Sequence, residues 1–423
     1  MKEIGPNPQN ADALQHLATT MLNKITAIEA WFRDQWQKTP APITSSVDLR
    51  NAGFKLSPVD TNLFPAGFNN LNPDFLSLCI QAVQATMYDS LPKCRRILLL
   101  PENHTRNKFY FQSLRILQDI FIQAGFDVRI GNLDLAATKN RTVQLDHGHL
   151  EIEPIARHGH RLVLKNFDPC LLLLNNDLSS GIPGILQDLH QPIQPSVQLG
   201  WASRLKSQHF LIFEQVVNEF SMLIGIDPWL IAPYSQAVTD LDFMAAEGII
   251  NLSAEVARLL DKIRHKYTAY GIAHPPFVAI KADNGTYGMG VMMVRDAAEL
   301  HQLNRKQRTN MAASKGGNKV DKVIIQEGVY TFETTGDGFA AEPVVYMIGQ
   351  FVVGGFYRVH EDRGVDENLN SPGMHFEPLA FANSCNIPCA SHNQPYQPNR
   401  FYTYGVIARL AALAAAREIK EEI

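Results

Sequence analysis

The chain has 423 residues, 45% of them hydrophobic and 19% charged, which is the balance of a globular protein long enough for two or three cores. Its 38 basic and 42 acidic residues leave a net charge of -4, which excludes the electrostatic footprint of a nucleic-acid binder. No apolar run reaches the about 20 residues of a membrane span, and the start Met1-Lys-Glu-Ile-Gly-Pro6 is too polar for a signal peptide, so a cytoplasmic protein is expected. Five cysteines (Cys79, Cys94, Cys170, Cys385 and Cys389) are an odd and sparse set, and reduced thiols are expected. Cys385-x-x-x-Cys389 with His392 lacks a further ligand at recognisable spacing, which argues against zinc.

Leu14, Leu17, Met21, Ile25, Ile28 and Phe32 recur at helical spacing and predict a helix over 11–37, ended by Pro40 and Pro42. The stretch 47–73 is dense in Asn, Pro, Asp and Gly. It reads as a long surface loop or as a structured ligand loop, and the interleaved Phe54, Leu63, Phe64 and Phe68 favour the second. A βαβ pattern follows: an apolar strand at 96–101, a helix at 107–124 striped by Phe109, Leu114, Leu117 and Phe121, a stop at Gly125, and a strand at 127–130. A second continuous apolar strand, 170–174, runs into Asn175-Asn-Asp177. Continuous apolarity predicts parallel strands covered on both faces, with ligands at their carboxyl ends, where Glu102, His104, Arg106 and Asn176 lie. The plainer alternative is that Asn103 or Thr105 caps the helix and 175–177 forms an Asx turn.

Proline and glutamine at 191–195 mark a boundary near 190–200. Arg204, Lys206 and His209 then follow Trp201, as an anion anchor or as a solvated helix face. A helix over 253–267 carries Val256, Leu259, Ile263 and Tyr267 on one stripe, and Pro275 and Pro276 precede the next strand.

In that strand Phe277, Ala279, Lys281 and Asp283 share one face by period two. Gly285, Gly288 and Gly290 follow. Glycines let backbone N–H groups close on an anion and Lys281 adds a point charge, a pairing that suits a nucleotide phosphate chain; a hairpin turn with an exposed lysine is the alternative. The segment is neither a Walker loop nor a Gly-x-Gly-x-x-Gly fingerprint. Farther on, a strand at 323–327 ends in Gln326 and Glu327, which suit ribose hydroxyls and an adenine edge or simple turn chemistry. Residues 342–348 and 351–359 predict a hairpin about Gly349-Gln350. Strict register sets Glu342 against Tyr357 with Arg358 on the other face, unless Gly354-Gly355 holds a bulge. The loop 361–374 gathers acids and amides, hard ligands for Mg²⁺ or a charged surface loop, and 404–421 is an Ala-rich helix.

This order of elements resembles the ATP-grasp superfamily of carboxylate–amine ligases. The runs Val47-Asp-Leu-Arg-Asn-Ala-Gly-Phe-Lys55, Pro58-Val-Asp-Thr-Asn-Leu-Phe-Pro-Ala-Gly-Phe-Asn-Asn-Leu71, Pro101-Glu-Asn-His-Thr-Arg-Asn107 and Lys281-Ala-Asp-Asn-Gly-Thr-Tyr-Gly-Met-Gly290 resemble, over about 45–375, the bacterial glutamate–cysteine ligase GshA family of ATP-grasp type. The resemblance implies an α/β (α+β) fold: an N-terminal parallel-sheet domain (1–200) for the amino-acid substrates, then two α+β subdomains (201–328 and 329–423) gripping ATP. It implies Lys262 and Lys281 on the phosphates, a lid formed by Gly285, Thr286, Tyr287, Gly288 and Gly290, Gln326, Glu327 and Val329 near the adenosine, and Arg358 on the transferring phosphate. The implied reaction joins L-glutamate to L-cysteine with ATP and Mg²⁺, the first step of glutathione biosynthesis.

Amino-acid recognition is expected from Asp48, Arg50, Asn62, Asn70, Glu102, His104, Arg106 and Asn176, because arginine pairs bidentately with an α-carboxylate and an acid suits an α-ammonium. Glu342, Glu367 and Asn370 are the metal candidates. The departure is that Glu367-Asn-Leu-Asn370 follows Arg358 closely, whereas many ATP-grasp ligases carry Glu-x-Asn on a separate later strand. Another carboxylate–amine ligase would keep the Lys281 half and differ over 47–107. A kinase would show no amine-dependent ADP release, and a non-catalytic ATP binder would leave ATP intact. A homo-oligomer stays open.

Overall fold

The computed structural model describes residues 5–6, 11–102, 107–134, 137–284, 291–312, 320–378 and 400–421. Among them the larger sheets are three. The strands Arg96–Pro101, Asp127–Asn132 and Leu171–Asn175 pair in parallel, with Leu98 opposite both Leu172 and Arg129. Ile97, Leu99, Leu171 and Leu173 pack into one core, while Leu98, Leu100, Leu172 and Leu174 pack into another on the opposite face. The alternation of one apolar run between two cores is what a parallel sheet covered on both sides requires. The helix Lys108–Gln123 covers one face; the Asn107 side chain accepts from Phe109 N at its start.

A four-stranded antiparallel sheet holds, in order, Ser235–Val238, Val323–Glu327, Val278–Ala282 and Val291–Val294. The helix Ala246–Ala269 packs on it through Leu252, Val256, Leu259 and Ile263. The third sheet is antiparallel and built on the hairpin Ala340–Ile348 and Phe351–His360.

The stretch 47–73 departs from the expected loop. Thr44–Asn51 and Leu56–Asn62 are strands of a hairpin, and Thr44–Asn51 pairs with Ala340–Ile348, so that strands from both ends of the chain share one sheet. Pro58 disguises the second strand in the sequence. It is tolerated because Leu56–Asn62 pairs with Thr44–Asn51 alone and the ladder shifts register between Asp48 and Leu49, where a missing N–H costs little.

The predicted helix over 11–37 is two helices, Ala11–Asn23 and Ile25–Lys38, parted at Lys24 (φ -105°, ψ 13°). The terminal helix Arg400–Glu421 is not a surface element: Tyr404, Val406, Leu410 and Ala411 through Ala415 have no exposed surface. Its alanines let it approach the helix Lys206–Ile224 and the hairpin closely, as an all-round apolar helix must. It is anchored by Glu418, which accepts from Arg204 Nε (2.8 Å) and Nη2 (3.0 Å) and also contacts His209.

Cys94 and Cys170 form a disulfide, contrary to the expectation of reduced thiols, with Cα atoms 5.6 Å apart. Parallel pairing of the strands that begin just after them brings together residues 76 apart, which spacing in the sequence does not reveal. Cys385, Cys389 and His392 lie outside the described residues. Among the described residues no helix is long and apolar enough to cross a membrane.

Candidate active site

Between the four-stranded sheet and the antiparallel sheet lies a cleft that gathers Asp48, Arg50, Asp60, Lys206, Lys281, Gln326, Glu342 and Arg358. Each comes from a strand except Lys206, which opens the helix Lys206–Ile224.

Asp48 and Asp60 are direct cross-strand partners. Like charges so placed repel, and each has its own cation: Arg358 Nη1 donates to Asp48 Oδ2 (2.8 Å) and Lys206 Nζ to Asp60 Oδ1 (2.8 Å). Burial would raise the Asp60 carboxyl, but Lys206 and Lys281 pull it down to about 2. Burial holds the Asp48 carboxyl above its ordinary value, against the pull of Arg358 and with repulsion from Glu342 and Asp60.

Glu342 is clamped between two guanidiniums. Arg50 Nε donates to one carboxylate oxygen (2.9 Å) and Arg358 Nη1 to the other. Burial raises its carboxyl, but Arg50 and Arg358 outweigh that and hold it below its ordinary value. Arg50 also donates to the backbone oxygens of Val329 (3.1 Å) and Glu367 (2.5 Å), tying the segment after the strand Val323–Glu327 and the loop 361–374 to the sheet.

Lys281 Nζ donates to Val59 O (2.8 Å) and Gln326 Oε1 (2.6 Å). Burial, together with nearby Lys206 and Arg50, lowers it to about 8 against the raising influence of Asp60 and Asp48. Two buried donors in the same cleft, Gln326 Nε2 and Arg358 Nε, have no hydrogen-bond partner among the described residues. Buried donors are rarely left so, and a pair of them beside lysines fits an anionic ligand.

The remaining candidates are dispersed. Glu327 and Val329 line the cleft, but the Glu327 carboxylate is turned into the protein: it accepts from Lys55 Nζ (2.8 Å), Trp229 Nε1 (3.0 Å) and Tyr234 N (2.9 Å). Alternation along the strand separates it from Gln326, so only its backbone is offered to a ligand. Lys262 is absent from the lining; its ammonium lies 3.7 Å from the Tyr234 ring centroid. Asn62 closes its strand by accepting from Phe64 N (2.9 Å), and Asn70 accepts from Asn69 (3.0 Å). Asn176 donates to Pro101 O (3.2 Å) and accepts from Leu178 N (3.0 Å), the Asx-turn alternative. Glu102 N donates to Tyr110 Oη (2.9 Å) at the carboxyl edge of the parallel sheet. His104, Arg106, Gly285, Thr286, Tyr287, Gly288 and Gly290 lie outside the described residues.

For the metal, the residues present do not form a cage. Glu342 is spent on Arg50 and Arg358, and Glu367 accepts from Gly364 N (2.7 Å) and Arg363 (3.1 Å). Asn370 lines the cleft, and no group of three metal-binding side chains occurs among the described residues. Sequence reading missed Asp60 as a site residue and Lys55 as the partner of Glu327. Both stand inside the quoted runs 47–55 and 58–71, where the loop assignment hid the strand alternation that aims Asp60 and the hairpin turn that places Lys55.

The profile of the glutamate–cysteine ligase family GshA matches residues 18–419. The chain belongs to this family. A crystal structure of a provisionally assigned gamma-glutamylcysteine synthetase of Methylobacillus flagellatus KT is 53% identical, with all of both chains covered and a TM-score of 0.93. Looser similarities are to D-alanyl-alanine synthetase A of Vibrio cholerae (11% identity, 75% of this chain and 81% of that chain, TM-score 0.34) and to a glutathione synthetase-like effector of Globodera pallida (11%, 88% and 83%, TM-score 0.36). No curated protein matches the chain. In this GshA family member Asp48, Arg50 and Asp60, from one hairpin, meet Lys281 and Arg358 from far along the sequence in one cleft.

Proposed function

We propose that this glutamate–cysteine ligase joins L-glutamate to L-cysteine through a γ-glutamyl phosphate, converting ATP to ADP and phosphate. Family membership and the 53% identical chain support the ligase activity. The observation that carries the phosphoryl chemistry is the cleft's set of donors, with Arg358 Nε and Gln326 Nε2 unpartnered among the described residues beside Lys281.

A carboxylate is a poor acyl donor because oxide would have to leave. An oxygen of the γ-carboxylate takes the γ-phosphoryl group while the bond to the ADP oxygen breaks. The free amine of cysteine then attacks the acyl carbon, phosphate leaves with the C–O electron pair, and the nitrogen gives up a proton. Catalysis is positioning and charge neutralisation, for which Lys281 and Arg358 are assigned to the transferring phosphoryl group. The 326–329 backbone is assigned to the adenosine, and Asp48 and Arg50 to an amino-acid substrate. The segment 285–290 is assigned to excluding water from the acyl phosphate.

Mg²⁺ enters this reading as part of the substrate, bound to ATP by phosphate oxygens and water, since Glu342 and Glu367 are otherwise engaged. A cytoplasmic location belongs to the same proposal.

The test is ADP release from purified protein with ATP and Mg²⁺ across pairs of amino acids. Release requiring both glutamate and cysteine supports the proposal, and release with neither overturns it. Another required pair would indicate a different carboxylate–amine ligase. ATP left intact throughout would indicate a binding protein.

A further inference from the structure

Lys206 has no role in the mechanism above, yet its geometry is that of a ligand-binding group. It is buried, lines the cleft, and rests its ammonium 3.8 Å from the Trp201 ring centroid. Its hydrogen bond among the described residues goes to Asp60, so two of its three donors are unspent. Among the described residues Lys281 makes two hydrogen bonds, leaving one donor.

The two lysines are held in fixed relation. Asp283 O, just beyond the Lys281 strand, accepts from Lys206 N (2.9 Å), and the Asp283 carboxylate accepts from Ser207 N (2.7 Å) and Ser207 Oγ (2.7 Å). That carboxylate accepts from the first turn of the helix Lys206–Ile224 and so ties it to the strand end that leads toward residue 285. Between the lysines stands Asp60, bonded to Lys206 and electrostatically coupled to Lys281. In the ligand-free cleft it serves as counter-ion to both.

We propose that Lys206 is the second phosphate-binding lysine of this site, acting with Lys281 on the terminal phosphates of ATP, in place of Lys262. The inference rests on the ATP-dependent reading above. Lys262 stands outside the cleft lining with its ammonium against Tyr234, while Lys206 lies within the lining and, among the described residues, has donors beyond its bond to Asp60.

Calorimetric binding of ATP and of AMP, without amino acids, tests this in wild type, Lys206→Met, Lys206→Arg and Lys262→Met. Loss of a charge-assisted contact predicts that ATP affinity falls about tenfold or more in Lys206→Met and is largely restored by arginine. AMP affinity, which involves no terminal phosphate, stays within about twofold of wild type. Unchanged ATP affinity overturns the proposal. So does an equal loss for ATP and AMP, the signature of a displaced helix, or a larger loss in Lys262→Met than in Lys206→Met. Should Lys206→Met fail to fold, the double variant with Asp60→Asn is compared with Asp60→Asn alone, so that the loss due to Lys206 is read apart from the loss of the counter-ion of Lys281. Wild type that binds ATP without ligating glutamate and cysteine would end the functional reading and leave the lysine comparison standing.

Discussion

Glu342 and Arg358 face each other across the hairpin because the strand Phe351–His360 carries one extra residue between Val352 and Gly354. Tyr346 pairs with Gly354 and Met347 with Val352, so Val353 is bulged and every later residue is reset by one. Without the bulge Tyr357 would stand where Arg358 does, and the arginine would leave the cleft.

Deleting Val353 should therefore cost activity far more than the removal of one side chain usually does. A loss of about a hundredfold in kcat/KM is expected from misplacing the guanidinium. Gly354, at φ 146°, should resist substitution: Gly354→Val is expected to cost roughly 1–3 kcal/mol of stability. Steady-state ADP release and thermal unfolding measure the two effects, and a deletion variant with normal kinetics would contradict the register argument.

Lys281 supplies the pH dependence. Its pKa in the ligand-free protein, about 8, lies below the ordinary 10.5, so its ammonium form is lost as pH rises through about 8. ATP affinity should fall above that pH and stay flat below it. Lys281→Arg, charged throughout, should lose the inflection, while Lys281→Ala should lose turnover with the fold intact. Calorimetric titration with ATP from pH 6.5 to 9.5 measures this; a flat wild-type profile would remove the assignment.

Lys55 and Glu327 form a fully buried ion pair at the end of the strand Val323–Glu327, with Trp229 and Tyr234 satisfying the rest of the carboxylate. Removing one partner of such a pair leaves a buried charge at a cost of about 3–5 kcal/mol. Lys55→Met should be destabilised by about that amount, and the double variant with Glu327→Gln should recover part of it. Denaturant unfolding of the single and double variants gives the coupling; strictly additive losses would show the pair to be independent.

Acid should loosen the terminal helix. Burial would raise the Glu418 carboxyl, but Arg204 and His209 hold it at about 2, below the ordinary 4.5. A depressed carboxyl contributes stability above pH 4.5 that is lost as pH falls toward 2. Glu418→Gln should remove most of that dependence and lower stability at neutral pH. Unfolding midpoints between pH 2.5 and 7 read the slope, and an unaltered slope in the variant would count against it.

What the sequence revealed followed periodicity. The runs 97–101 and 170–174 carry no polar interruption, and their burial between two cores follows from that alone. Lys281 and Gln326 were visible as strand residues beside glycines. Asp60 was not, because Pro58 and the surrounding Asn and Gly residues mimic a loop, which hides the hairpin that 56–62 forms with the neighbouring strand 44–51. Lys206 was legible as a cation but not as a buried one, since its burial depends on Asp60 and Trp201. Cys94 and Cys170 met through strand pairing, and the break at Lys24 carries no proline or glycine to announce it.

Oxygen transfer tests the acyl-phosphate route most directly. Glutamate carrying ¹⁸O in its γ-carboxylate, incubated with ATP, Mg²⁺, cysteine and this protein, should pass one labelled oxygen to each inorganic phosphate released. Phosphate free of label would contradict the account, because it would mean that water, not the carboxylate, accepts the phosphoryl group.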